Sequence, residues 1–226
     1  PVIVGGEGHH FSRCQFVDLL STAGSTIQVA GFSVFENCRI QNCQAELVAG
    51  IEILASVVCR LESCIVAGNR SNTGTSALSA DSDSVLLLVN NTVVNNANLI
   101  SGGTVIVADS AQAILQNNIF FGNLSVDPSL QLSTASVVLR NIIEGGWPGD
   151  NLDVDPELIE SPHGVLTPGP GSPCVDQAIS AASTTTSDCL GQPRQVCQAV
   201  DIGAVERQSC GDGDTLDFIR GDCDGN

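Results

Sequence analysis

Residues 85–96 read VLLLVNNTVVNN and residues 112–123 read QAILQNNIFFGN, one pattern written twice with a displacement of 27 positions. Residues 58–69, VCRLESCIVAGN, carry it again 27 positions upstream, with Cys64 where the later copies have Asn91 and Asn118. Extending this register in both directions gives six anchors, Cys14, Cys38, Cys64, Asn91, Asn118 and Asn141, separated by 24, 26, 27, 27 and 23 residues. Two positions after the anchor stand Phe16, Ile40, Val66, Val93, Phe120 and Ile143; three positions before it stand Phe11, Phe35, Leu61, Leu88, Leu115 and Val138. Both columns are wholly apolar. Five positions after the anchor, the middle copies place Cys43, Asn69, Asn96 and Asn123.

A period of about 25 residues is the mark of a repeat architecture. The apolar runs are short and rich in Val, Ile and Phe, which favour strands, and Gly, Asn, Ser and Asp separate them as turns require. No copy has room for a helix. Each copy is therefore read as one coil of a parallel β-solenoid, an all-β right-handed parallel β-helix of about six to eight coils. Coils stack roughly 4.8 Å apart, so six make a rod on the order of 25–30 Å long. The polar anchors are read as inward ladders, Cys14, Cys38, Cys64, Asn91, Asn118 and Asn141 in one column and Cys43, Asn69, Asn96 and Asn123 in the other. An Asn side chain in such a column can bond to the coils above and below. The stretch 71–84 (SNTGTSALSADSDS) is expected to lengthen its coil and bulge outward.

The 226 residues hold 25 acidic and 8 basic side chains, a net charge of −17, and every basic residue is Arg. That balance lacks the basic footprint of a nucleic-acid binder. No apolar run reaches the roughly 18–20 residues of a membrane span, so no membrane insertion is expected. The acid is concentrated late: residues 1–143 carry 10 acids against 5 Arg, residues 144–226 carry 15 against 3. The chain divides into solenoid coils over 1–146, closing coils over 147–209 and a distinct tail over 210–226.

From Gly145 the sequence runs through GGWPG, NLDVDP, SPCVD, GQPR and DIGAVE. This set resembles the C-terminal segment of right-handed parallel β-helix proteins of the choice-of-anchor Q type, found in secreted bacterial proteins. The resemblance implies the same fold and a location outside a bacterial cell, secreted or at the surface; it implies little about activity. The tail DTLDFIRGDCDGN resembles the opening of a truncated dockerin-like calcium repeat, with Asp222, Asp224 and Asn226 at the 1, 3, 5 spacing of a calcium loop. The sequence is accordingly read as a segment of a longer gene product.

Several residues are candidates for chemistry. Glu36 and Glu62 share a column in adjacent coils, near the ~5 Å spacing of a retaining glycosidase pair, although a solvated face neutralised by Arg39 and Arg60 explains them as well. Asp150, Asp153 and Asp155 cluster as candidate calcium ligands, against a purely turn-forming role. Calcium is the one cofactor the sequence suggests. Cys189 and Cys197 flank the LGQPR turn as a candidate disulfide, and the solenoid cysteines read as small buried apolar residues, with a disulfide between neighbouring coils, Cys43 with Cys59 or Cys64, as the alternative. Of the sequons opened by Asn69, Asn90 and Asn123, the first and last fall on a ladder, which argues against glycosylation.

One Trp and no Tyr leave poor material for a sugar-binding platform. The expectation is a non-catalytic extracellular structural or adhesive module. Its partner is either a second copy stacked head to tail, as in a filament, or an extracellular glycan. The alternative is a pectate-lyase-like polysaccharide lyase or glycoside hydrolase.

Overall fold

In the computed structural model of the protein, residues 2–6, 8–98, 106–108, 112–124, 137–162 and 164–209 are described. The chain winds as a parallel β-helix whose strands line up into four parallel sheets. The first sheet stacks Val2–Val4, Ile27–Val29, Ile51–Ile53, Leu78–Ala80 and Ile106–Ala108. A second runs from His9–Ser12 through Ser33–Glu36, Val58–Glu62, Val85–Val89 and Gln112–Gln116 to Val137–Leu139. A third runs from Gln15–Val17 through Arg39–Gln41, Ile65–Ala67, Thr92–Val94 and Ile119–Phe121 to Ile142–Ile143. The fourth is made of the two-residue strands Leu20–Ser21, Gln44–Ala45, Arg70–Ser71 and Ala97–Asn98.

Four coils thus carry a strand in every sheet among the described residues, and two shorter rungs follow them, fewer than the six to eight coils expected. The repeat columns count anchors, and the last two copies keep the anchor while losing described strands in the fourth sheet. The outward bulge expected over 71–84 is not formed. Leu78–Ala80 pairs in register with Ile51–Ile53, and Thr75, Ser76, Ala77, Leu78 and Ala80 are all buried. Its small Ser, Thr and Ala residues make a compact corner instead of a loop.

Two sharp corners shape each coil. The residue just before each anchor (Arg13, Asn37, Ser63, Asn90, Asn117 and Arg140) is left-handed, with φ between 53° and 59°. The second corner repeats this at Asp18, Asn42, Gly68, Asn95 and Gly122. A single left-handed residue turns one strand into the next, and Asn, Asp and Gly adopt it most cheaply.

The interior is filled by the columns that the repeat defines. Phe35, Ile40, Leu61, Val66, Leu88, Val93 and Leu115 are wholly buried. Phe11 stacks on Phe35 with centroids 4.8 Å apart, and Phe16 meets both rings edge-on. Residues 144 onward leave the coil pattern. Trp147 packs against the core, and beyond it an antiparallel hairpin pairs Leu158–Glu160 with Leu166–Pro168.

The C-terminal segment then covers the outer face of the third sheet. Ile65 clusters with Val165, Cys189, Ala204 and Val205; Val94, Ile119 and Ile142 cluster with Cys174 and Ile202. Burial on both faces explains the runs of consecutive apolar residues in that sheet. Gly203 makes the closest approach. At φ +103°, a Cβ there would meet Ile119 Cδ1 at 2.6 Å and Thr92 Oγ1 at 2.9 Å.

Candidate functional site

The two anchor columns become hydrogen-bonded ladders. Asn69 Nδ2 donates to Asn96 Oδ1 at 2.9 Å, and Asn96 Nδ2 donates to Asn123 Oδ1 at 3.0 Å. In the first column, Asn91 donates to Asn118 at 3.0 Å and Asn118 to Asn141 at 2.9 Å. Each ladder oxygen also accepts the backbone N–H of the coil beneath it, as Asn118 Oδ1 does from Asn91 N. The remaining N–H of each amide goes to a backbone carbonyl, as from Asn118 to Leu88 O. The amides of Asn69, Asn91, Asn96 and Asn118 thus use both N–H groups and the oxygen, which is the condition for burying an amide there.

Toward the N-terminus the columns change chemistry. Cys64 takes the place of the Asn, with its backbone N–H held by Asn91 Oδ1 at 2.9 Å and its thiol donating toward Phe35 O and Glu62 O. Cys38 and Cys43 repeat the arrangement one coil earlier, and Cys14 begins the column at a half-buried position. At the other end the ladder has a further rung absent from the sequence reading. Asn151 Oδ1 accepts from Asn141 Nδ2 at 3.0 Å, and its own amide reaches Val138 O.

Glu36 and Glu62 are register partners on neighbouring strands, yet they sit in unlike surroundings. Glu36 Oε2 lies 2.8 Å from His10 Nε2 near the surface. Glu62 is wholly buried beneath the segment 183–185. Its Oε1 accepts the N–H groups of Thr184 and Thr185, and its Oε2 accepts Thr184 Oγ1 at 2.6 Å and Arg60 Nη2 at 2.6 Å. Burial alone would raise this carboxyl, but the hydrogen bonds from Thr184, Arg60 and the two amides outweigh it and hold it below the usual range. Glu62 is neither solvated nor open to a substrate. It anchors a returning strap.

That strap crosses the corner column against the coil order. Asn117 bonds both to Ile179 O and from Ile179 N–H, Ser63 meets Thr185, and Asn37 and Arg13 both donate to Ser187 Oγ. The C-terminal motifs close on themselves behind it. Arg194, wholly enclosed, donates from Nη2 to the carbonyls of Asp201 at 2.8 Å and Gly203 at 2.6 Å. Asp188 caps Leu190, Gln192 and Glu206 N–H groups, Asp201 holds Asp176 and Arg207, and Glu206 holds Val196 and Asp201. Burial pushes Asp201 up to about 6, and burial with the Asp201 charge beside it pushes Glu206 up to about 8. These carboxylates fasten backbone amides.

The other sequence candidates fall apart in space. Asp150 accepts from Arg140 N at 3.1 Å, Asp153 from Gly145 N at 3.1 Å and Asp155 from Glu157 N at 2.8 Å, each shaping its own turn. Among the described residues no group of three His, Cys, Asp or Glu side chains is placed to hold a metal ion. Asp222, Asp224 and Asn226 lie outside the described residues. The pairing of Cys189 with Cys197 is corrected. Cys189 keeps its thiol, buried against Ile65 and pointing at the carbonyls of Asn37 and Cys38, whereas Cys197 is the disulfide-bonded residue. The turn folds Cys189 inward onto the solenoid.

The surface offers two adjoining shallow depressions on the side of the fourth sheet, of about 280 and 180 Å³, sharing Leu20, Ser21 and Thr22. Gln44, Glu46, Arg70 and Asn72 line the smaller one, with Asn72 donating to Glu46 at 2.9 Å. Among the described residues no helix is long and apolar enough to cross a membrane.

Residues 25–149 match the family described as the right handed beta helix region. No curated protein and no solved structure matches the chain.

Proposed function

Because the chain belongs to the right-handed β-helix family, we propose that it works as a non-catalytic structural or adhesive module displayed outside the cell. The observation that carries this reading is the fate of Glu62. Of the two register-paired carboxylates Glu36 and Glu62, the second is sealed beneath residues 183–185 with both oxygens occupied. General acid and base catalysis needs a proton-transferring group within reach of substrate. The carboxylates of the closing network are likewise committed to backbone amides.

As an adhesive module the protein would meet a glycan at the depression bordered by Gln44 and Arg70, where planar polar side chains stand open to solvent. As a self-associating module it would pair through the end strands Val2–Val4, His9–Ser12 and Gln15–Val17, each bonded on one side among the described residues. Head-to-tail growth also needs the opposite end. There Asn151 and the Ile142–Leu152 bridge already occupy the last rung and Trp147 packs on the core, so this turn would have to give way.

The test is incubation of the intact chain with neutral and acidic polysaccharides, read by reducing ends and by absorbance of unsaturated products, beside binding to the same glycans. No turnover is expected. Turnover abolished by Glu36→Gln or Glu62→Gln in a folded variant would establish the enzymatic alternative.

A further inference from the structure

The left-handed residue before each anchor meets the strap, coil by coil. Arg13 and Asn37 donate to Ser187 Oγ, Ser63 Oγ meets Thr185 Oγ1, and Asn117 bonds twice to Ile179. Asn90 breaks the series. It holds the same corner, at φ 54°, in the coil between Ser63 and Asn117, and it is wholly buried. Yet neither its Nδ2 nor its Oδ1 meets a donor or acceptor among the described residues. Flipping the amide exchanges the two atoms and leaves both unpaired. The strands on either side of Asn90, Val85–Val89 and Thr92–Val94, are each paired with a coil above and a coil below, so its enclosure owes nothing to either end of the rod.

The course of the strap explains the missing partner. Between Ile179, opposite Asn117, and Thr185, opposite Ser63, it crosses two coil spacings, about 10 Å. The same stretch drawn out straight would span roughly 20 Å. The excess is wound into the 3₁₀ turn Ser180–Ala182. There Ala182 N–H bonds to Ile179 O at 3.0 Å and Ser183 N–H to Ser180 O at 3.2 Å. Ser180 Oγ accepts from Val200 N–H at 3.1 Å, and Ser183 Oγ donates to Glu62 Oε1 at 3.3 Å. These N–H groups and both hydroxyls are committed elsewhere, so none of them answers Asn90.

A buried amide with its donor and its acceptor both open selects its ligand by chemistry. A cation would satisfy Oδ1 alone and an anion Nδ2 alone, and each would strand the other atom while bringing charge against a neutral side chain. Water accepts and donates at once, and the two atoms share one edge of the amide, within reach of a single molecule. We propose that Asn90 and the turn Ser180–Ala182 enclose a binding site for one internal water molecule, which accepts from Asn90 Nδ2 and donates to Asn90 Oδ1. The strap is then joined to the corner column directly at the first, second, third and fifth coils, and through water at the fourth.

The experiment is NMR of the intact, isotope-labelled chain. Cross-peaks between water and the Asn90 side-chain amide protons are expected, with Overhauser effects of opposite sign in the laboratory and rotating frames, the signature of a long-lived water. The side-chain amides of Asn91 and Asn118, whose protons go to protein oxygens, should show none. A hydroxyl proton can imitate water in that measurement, so relaxation dispersion of the water oxygen provides a separate count of long-lived waters. Asn90→Leu, which keeps the outline and removes both polar atoms, should lower that count by one. The native spectrum decides the matter even where this variant does not fold. No water cross-peak at Asn90, an Asn90 amide proton bonded to a strap carbonyl instead, or a folded Asn90→Leu chain with an unchanged count would each overturn the proposal.

Discussion

Oε1 of Glu62 accepts the backbone N–H groups of Thr184 and Thr185, residues more than 120 positions later in the chain. One carboxylate, placed by the third coil, thereby holds the strap that returns along the solenoid. Glu62→Gln keeps the shape but replaces an acceptor of six donor groups by an amide that repels some of them. The expected cost is about 2–3 kcal/mol, with faster amide exchange at 183–187. Glu36→Gln, near the surface beside His10, should cost less than about 0.5 kcal/mol. Equal effects in urea unfolding would show that the strap is not held this way.

The ladders predict a directional sensitivity. Asn118→Ala strands the amide of Asn91 and the carbonyl of Leu88 inside the tube, at a cost of roughly 2–4 kcal/mol. Asn91→Cys should be milder, since Cys64 and Cys38 already fill that column in the preceding coils. Chemical denaturation of the two variants compares them directly, and a larger loss for the cysteine would contradict the interchangeability of thiol and amide here.

Gly203 tests the docking of the closing segment. Gly203→Ala meets both an unfavourable φ of +103° and a 2.6 Å clash with Ile119 Cδ1, so a loss of about 2–4 kcal/mol is expected. Gly8→Ala, at φ +66° with no atom within 4 Å of its Cβ, should lose about 1 kcal/mol. Thermal melts of both separate steric contact from backbone preference.

Stability should depend on pH in two opposed ways. Asp201 at about 6 and Glu206 at about 8 lie above their unfolded values of roughly 3.9 and 4.3. Over that interval the folded chain holds more protons than the unfolded one, so stability falls as pH rises through it. Glu62 runs the other way: its folded value is depressed, and its contribution is lost as pH falls through that value. The free energy of unfolding should therefore be greatest near pH ~4, about where the two unfolded carboxyls begin to ionise, and decline toward pH ~8. Glu206→Gln should flatten the decline, and a flat native profile from pH ~5 to ~8 would reject this account of the buried acids.

The solenoid was legible in the sequence because stacking imposes its own period. Phe35, Leu61 and Leu88 fill one column of the core, so the same residue type recurs at near-constant spacing. The ladder residues follow the same rule as far as Asn141. Asn151 was invisible because the turn through Trp147 brings the next rung back after only 10 residues. Glu62 resisted reading for the opposite reason. Its partners Ser183, Thr184 and Thr185 lie in a segment with no period, and nothing local distinguishes it from Glu36. The interior place of Arg194 is set by the carbonyls of Asp201 and Gly203, which only the closed loop brings together. Cys189 packs onto Ile65, and no local signal in the sequence distinguishes that place from a partner across the turn.

The returning strap changes how such a rod should come apart. In a simple stack each coil touches only its neighbours, and the end coil can peel away while the rest stands. Here Ser187 is tied to Arg13 and Asn37, Thr185 to Ser63, and Ile179 to Asn117, so one continuous stretch of chain laces the first coil to the fifth. Fraying at the front must undo that lacing, and undoing it uncovers the third sheet along its length. A protein built from repeats would then melt as a single cooperative unit, and a pull on either end would be resisted by the whole rod at once.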